Sequence, residues 1–166
     1  MFKNKKTILA SILFIASLKA FCGVVDHDRM YQAYLSNDMS VWKTELQKYT
    51  ASTDLTITDK LEISNYLYGY IATLLTDADK NKQEIIGWIE LWEKYLEEIE
   101  KATGKNAYVH VYRSSINAYK SKVKAGGMMV WGPRSLTELK RALNIDPNNP
   151  LANGLKGNML FYMPGF

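Results

Sequence analysis

The sequence predicts an all-α fold made of antiparallel helical hairpins. Apolar residues recur at intervals of three and four over most of the chain, which places them on one face of an α-helix. Gly-Pro at 132–133 and Asp-Pro-Asn-Asn-Pro at 146–150 are typical of points where helices start and stop. The strand-like alternation at 108–112 is brief and lies between helical patterns. Because such short turns join consecutive helices, we expect neighbouring helices to pack antiparallel.

Residues 1–22 have the pattern of a secretory signal peptide. A lysine-rich start precedes an apolar run at 8–18 that is too short to span a bilayer comfortably. Ala20 and Cys22 fit the small positions before a signal-peptidase cut, so we expect a mature chain that starts at Gly23. The predicted location is the periplasm.

Cys22 offers an alternative to the soluble exported form, because an acylated cysteine would anchor a lipoprotein. Phe21 is bulky where a lipobox favours a small residue, which makes the cleaved form the preferred interpretation. Cys22 is also the only cysteine, so a disulfide within one chain is excluded.

The charge balance depends on whether the signal peptide is removed. Of the 21 basic and 17 acidic residues, four lysines lie within 1–22, so the remaining chain carries equal numbers of both signs. A surplus of basic residues would favour nucleic acid or an anionic membrane. We therefore expect no nucleic-acid partner, and membrane attachment only if Cys22 is lipidated.

Residues 23–166 are predicted to form a single helical-repeat domain. The apolar pattern places hairpins at about 27–50, 59–102 and 105–145, and a last helix at 149–162.

Two interruptions are predicted inside and between these hairpins. Thr58 or Asp59 is the candidate N-cap of the second hairpin, and polar residues at 77–82 are expected to separate its two helices. Residues 125–133, Ala-Gly-Gly-Met-Met-Val-Trp-Gly-Pro, are expected to form a loop that either packs over the domain or is available to a partner.

The end of the third hairpin is the clearest boundary in the chain. Pro147 should stop the preceding helix near Ile145, and Asn148 or Asn149 should cap a new helix with Pro150 near its first position.

Four segments together resemble a known group of proteins. They are Tyr-Gly-Tyr at 68–70, Trp-Gly-Pro-Arg-Ser at 131–135, Asp-Pro-Asn-Asn-Pro at 146–150 and Gly-Asn-Met-Leu-Phe-Tyr-Met-Pro at 157–164. The chain resembles exported tetratricopeptide-repeat-like proteins of the Bacteroidetes type over most of its mature length. This resemblance implies hairpins that stack as a right-handed solenoid.

The resemblance also implies a partner-binding groove. In such a solenoid the first helix of each hairpin lines the concave surface, which places Tyr66, Tyr70 and Asn158 there as candidate groove residues. The alternative is that both tyrosines simply pack against the adjacent helix. Peptide-clamp members carry Lys where this chain has Gly154, so a carboxylate clamp is not implied.

The last helix is expected to leave an apolar edge uncovered. Longer members of the group continue with a further helix, whereas this sequence stops at Phe166. Met159 and Phe161 are therefore the candidate association edge, for self-association or for a docked partner.

Candidate chemistry is sparse, and we expect no enzyme activity, cofactor or metal site. His27 lies between Asp26 and Asp28, but consecutive residues at a helix start point in different directions. His110 is typical of a partly buried or groove-lining histidine, and HExxH and GxSxG are absent.

Two functions are consistent with this sequence. The first is an exported interaction or scaffolding module that binds a protein or peptide partner in the cell envelope. The alternative is a periplasmic ligand-binding component that presents a small hydrophobic solute to a transporter.

Overall fold

The computed structural model describes residues 25–162, with side chains up to Leu160, and this part of the chain is all-helical without strands. The predicted all-α class is confirmed. The described residues fall into two compact units, 25–55 and 56–162. The predicted signal peptide at 1–22 lies outside the described residues.

The first unit is one helical hairpin, with α1 at His27–Leu35 and α2 at Met39–Thr50. Aspartates cap both helices, as Asp26 accepts the N–H of Arg29 at 3.1 Å and Asp38 accepts the N–H of Val41 at 3.2 Å.

Two contacts between the helices of this hairpin show their relative direction. The Asp26 amide, before α1, donates to the hydroxyl of Tyr49 near the end of α2 at 2.7 Å. The Tyr34 ring, near the end of α1, meets the Trp42 ring near the start of α2 edge-on at 6.2 Å. The two helices are therefore antiparallel.

The second unit contains five α-helices. They are α3 at Ile57–Leu74, α4 at Ala78–Thr103, α5 at Ala107–Val123, α6 at Gly127–Ile145 and α7 at Pro150–Tyr162. Each helix packs against the next, and α3 also contacts α5 while α5 contacts α7.

Polar contacts show that α3, α4 and α5 alternate in direction. Tyr70, late in α3, donates to Glu84, early in α4, at 2.8 Å, and Lys60, early in α3, pairs with Glu98, late in α4. The same reversal relates α4 to α5 through the ion pairs Arg113–Glu100, Lys120–Glu93 and Lys124–Glu90.

Aliphatic side chains and aromatic rings fill the space between α3, α4 and α5. Fully buried side chains include Ile63, Leu67, Ile71, Ile85, Ile89, Trp92, Leu96, Ile99 and Ile116. The Trp92 ring lies 5.4 Å from that of Tyr112 and 6.4 Å from that of Tyr119, which stacks on Tyr68 at 6.2 Å. These rings tie α5 to both preceding helices.

The start of the second unit differs from the predicted caps. Thr56, not Thr58 or Asp59, is the N-cap of α3, and its hydroxyl accepts the Asp59 N–H while the Asp59 carboxylate accepts the Thr56 N–H. The polar break between α3 and α4 is also shorter than predicted. It is a single turn of 3₁₀-helix at Leu75–Asp77, after which Asn81 donates to the carbonyl of Leu74 at 2.9 Å.

Residues 127–133 form helix, and the prediction of a loop at 125–133 is wrong in this part. Gly126 and Gly127 have positive φ angles of 86° and 49°, and they reverse the chain before α6 begins. Pro133 is therefore inside α6, where it cannot donate a hydrogen bond to the Met129 carbonyl and its ring crowds that carbonyl.

Trp131 helps to hold this first part of α6 in place. Its indole N–H donates to the Ala125 carbonyl at 3.1 Å. The Lys120 ammonium lies 5.0 Å from the centroid of its ring, and the Arg134 guanidinium lies 4.8 Å from it. These contacts offset the loss of a hydrogen bond at Pro133.

The boundary between α6 and α7 agrees with the prediction. Helix α6 ends at Ile145, and Asp146 is extended with φ −139° and ψ 95°. Asn149 accepts the Ala152 N–H at 2.9 Å, and Pro150 is the first residue of α7.

We predict that Tyr112→Phe flattens the loss of stability at alkaline pH. Burial raises the pKa of Tyr112 above its ordinary value of 10.0, so this stabilisation is complete below pH 10 and is lost as the pH rises further. In the pH range where Tyr112 ionises only in the unfolded chain, the free energy of unfolding should fall by up to about 1.4 kcal/mol per pH unit. Urea unfolding between pH 8 and pH 11.5 measures this slope.

The exposed Tyr31 provides the control, because Tyr31→Phe should retain the wild-type slope. Equal slopes for Tyr112→Phe and the wild type would contradict the prediction.

Candidate partner-binding groove

An apolar groove of about 450 Å³ lies between α5, α6 and α7 and is half-open to solvent. Its lining consists of Ala118 from α5, of Met128, Met129, Gly132, Pro133, Ser135 and Leu136 from α6, and of Leu155, Asn158 and Met159 from α7. The size and apolar lining are typical of sites that bind apolar ligands or side chains.

The first half of α6 supplies most of the groove. Met129, Gly132, Pro133 and Leu136 recur at helical spacing, so they form one stripe along α6. Met129 is 91% exposed, and its neighbours Met128 and Val130 are 48% and 41% exposed, so three consecutive apolar side chains face solvent here. Methionine side chains are flexible and polarizable, and they adapt to partners of different shape.

A polar contact inside the α5–α6 interface sets the register of these helices. The hydroxyls of Ser114 and Ser135 are 3.1 Å apart, and Ser135 also donates to the Ser114 carbonyl at 2.8 Å. Both serines are buried. Small side chains at this crossing let the two backbones approach closely, and this close approach positions residues 128–136 beside Ala118.

A second contact confirms that α5 and α6 are antiparallel. His110 Nδ1, early in α5, lies 2.7 Å from Glu138 Oε2, which is three residues beyond Ser135 in α6. The other oxygen of Glu138 accepts a bond from Arg141 at 2.6 Å. The end of α5 therefore lies beside the start of α6.

Helix α7 closes one side of the groove. Ala152 is fully buried in an apolar cluster with Val111, Leu139 and Ala142 from α5 and α6. Leu155 and Met159 are partly buried against this cluster and also line the groove. The same packing that holds α7 in place therefore positions its groove residues.

The α4–α5 interface beside this region is strongly ionic. A smaller polar pocket there is lined by Glu93, Glu97, Arg113, Ile116, Asn117 and Glu138. The hydrogen bond from Arg113 at 2.7 Å holds the pKa of Glu100 below its ordinary value of 4.5. Glu93, Glu100 and Glu138 pair with Lys120, Arg113 and Arg141 of the same chain. Within the described part of the chain, no three His, Cys, Asp or Glu side chains come together as metal ligands.

The two predicted groove tyrosines lie on α3, away from this groove. Tyr70 is 2% exposed, donates to Glu84 and meets the Trp88 ring edge-on at 6.0 Å. It therefore packs between α3 and α4, in agreement with the alternative interpretation, and has no ring surface to offer a partner. Tyr66 is half-buried, and its predicted role in partner binding stays a prediction.

The groove does bring together one residue from each predicted site. Asn158, predicted for partner binding, and Met159, predicted for the association edge, are neighbours in its α7 wall. The side chain of Phe161 lies outside the described residues, and the next residue inward, Leu160, is 45% exposed.

Sequence reasoning missed the contribution of α6, although a signal for it was present. The apolar residues at 128–131 are unusual for a loop, but the Gly-Pro pair hid the helical spacing that joins Met129 to Leu136.

No family model, curated protein or solved structure matches the chain. Across residues 25–162, no helix combines the length and the apolar character needed to cross a bilayer.

We predict that Ser135→Ala lowers the free energy of unfolding by about 1–2 kcal/mol, because it leaves the buried Ser114 hydroxyl without its partner. Adding Ser114→Ala should cost little more, since the double variant removes both polar groups at the crossing. Urea unfolding of the single and double variants measures the coupling.

Ser121→Ala provides a matched control, because the Ser121 hydroxyl bonds only to Ala118 in its own helix. The control should stay within about 0.5 kcal/mol of the wild type. Strictly additive losses for Ser114 and Ser135 would contradict a coupled contact.

Proposed function

We propose that this chain is an exported, non-catalytic interaction or scaffolding protein of tetratricopeptide-like architecture. Its binding site in this proposal is the groove between α5, α6 and α7. The partner is an apolar segment of a protein in the cell envelope.

The helix order of the second unit supports the tetratricopeptide-like part of the proposal. Helices α3, α4, α5 and α6 alternate in direction. Helix α5 also contacts α3 and α7, each of which is separated from it by one helix in the chain. In stacked hairpins the first helix of each hairpin contacts the first helix of the next. The right-handed solenoid is part of the proposal on this basis.

The observation that carries the binding role is the exposed methionine-rich groove. Three methionines line it, and one of them, Met129, is 91% exposed. A folded monomer rarely leaves such residues beside an apolar cleft unless something docks there. A helix or strand of a partner, with one apolar face, can cover both the cleft and its exposed rim.

The alternative function is a periplasmic ligand-binding component that holds a small hydrophobic solute in the same groove and presents it to a transporter. The volume of about 450 Å³ is large enough for such a ligand. However, pockets for small ligands usually bury about 70–90% of the ligand surface, whereas the rim of this groove is exposed at Met128 (48%) and Met129 (91%). A partner segment is therefore the better fit.

The proposal of export to the periplasm rests on the sequence of residues 1–22. Cleavage before Gly23 gives a soluble periplasmic form, and acylation of Cys22 gives the anchored alternative. Self-association through Met159 and Phe161 is the alternative to a docked partner in the same region, because Met159 belongs to both the edge and the groove.

Photo-crosslinking from inside the native cell envelope tests the proposal. A photoreactive amino acid at position 129 should give a cross-linked product of protein size, whereas the same amino acid at position 83, an exposed polar site on α4, should not. Leu136→Ser, which makes the groove floor polar, should remove the product. The mass of each adduct distinguishes the candidate occupants.

Each other result has a definite meaning. An adduct of small-molecule mass would replace the proposal by the solute-binding alternative. A homodimer that Met159→Ser removes would replace it by self-association. Equal products from positions 129 and 83 would contradict a role for the groove.

A further inference from the structure

Charge is distributed unequally between the helices of the second unit. Residues 57–103, which contain α3 and α4, have ten acidic and five basic side chains. Residues 107–162, which contain α5, α6 and α7, have two acidic and eight basic side chains. The groove therefore lies entirely within the basic half.

Several of these cations are used inside the protein. Lys120, Arg113 and Lys124 pair with glutamates of α4, and Arg141 pairs with Glu138. In the described part of the chain, Lys122, Lys140 and Lys156 are exposed and form no ion pair, while Arg134 stacks on Trp131.

Two of these lysines lie on the same helix faces as residues that line the groove. Lys122 is one helical turn beyond Ala118 on α5, and Lys140 is one turn beyond Leu136 on α6. Because α5 and α6 are antiparallel, the lysines lie towards opposite ends of the groove. An apolar floor with a cation towards each end favours a ligand with apolar and acidic residues.

We propose that the occupant of the groove is an acidic amphipathic helix of a different protein. Its apolar face covers the methionines, and carboxylates near its two ends approach Lys122 and Lys140. The lining from Met129 to Leu136 spans about 10 Å, which matches apolar anchors at positions i, i+3 or i+4, and i+7 of a helix. This inference rests on the proposed function of the groove and adds the chemistry of the partner.

A second copy of this chain does not supply such a helix from its acidic half. The apolar stripe of α4, its most acidic helix, is already buried, with Ile85, Ile89, Trp92 and Ile99 at 0% exposure. A membrane surface is also a poorer fit, because a concave site cannot bring its floor into contact with a bilayer.

A peptide display library tests the chemistry of the partner. The library fixes Leu, Met or Phe at i, i+3, i+4 and i+7 of an 18-residue peptide and randomises the other positions. Selection on the full mature chain, after removal of peptides that bind the Leu136→Ser variant, should enrich Asp and Glu at the random positions. The best peptide should bind at least tenfold more tightly than its Glu→Gln counterpart at low salt, and the difference should shrink as salt rises.

Charge reversal in the protein provides the matched test. Lys122→Glu with Lys140→Glu should weaken the acidic peptide at least tenfold and should leave the Gln peptide within twofold. Lys80→Glu with Lys101→Glu makes the same change in net charge on exposed sites of α4, and it should leave the difference between the two peptides intact.

The outcomes separate this inference from the proposed function. Enrichment of neutral or basic peptides that still require Leu136 would overturn the acidic partner and keep the groove as a protein-binding site. If no peptide depends on Leu136 in a protein that keeps its helix content, the groove function itself fails. Binding of phosphatidylglycerol vesicles but of no peptide would overturn both in favour of a membrane surface.

Discussion

The contact between Ser114 and Ser135 is the constraint on which the second unit depends most. Two buried hydroxyls that bond to each other favour the register that pairs them, so they help to define how α5 and α6 align. Small side chains at this crossing also allow the close approach of the two helices. The apolar cluster around Ala142 and Ala152 then places α7 against both.

The groove follows from this alignment and from the early start of α6. The chain reverses at Gly126 and Gly127, so six residues of α6 precede Pro133 and lie beside the end of α5. If α6 began at Pro133, Met128 and Met129 would belong to a loop and the groove would lose one wall. The structure thus keeps a costly proline inside a helix, and the same segment supplies the exposed methionines.

Charged side chains are distributed unequally over the second unit. The carboxylates of α4 are paired with cations of α5, which stabilises the interface between them. Because α6 and α7 have few carboxylates of their own, Lys140 and Lys156 are exposed and form no ion pair in the described part of the chain. Most of the ion pairs of the second unit therefore hold α4 against α5, while the proposed binding surface lies on α5, α6 and α7.

Local signals predicted much of the fold and little of the groove. The Asp-Pro-Asn-Asn-Pro turn defined the α6–α7 boundary because proline and asparagine impose it locally. The prediction of a loop at 125–133 is wrong in its main part. A proline can stand at the start of a helix or, at a cost, inside one. Here the contacts of Trp131 with its cationic neighbours favour a helix that continues through the proline. Tyr70 was predicted for a groove but is buried, since its position relative to Glu84 and Trp88 depends on how α4 packs.

Helix α6 extends from Gly127 through Pro133, and this segment forms one wall of the groove. Amide hydrogen exchange of the mature protein, resolved by residue, measures this directly. We predict slow exchange at Trp131, Gly132 and Arg134, whose N–H groups bond to carbonyls one turn earlier in α6. Exchange at the rate of an unstructured peptide throughout residues 125–133 would contradict it and would remove the groove.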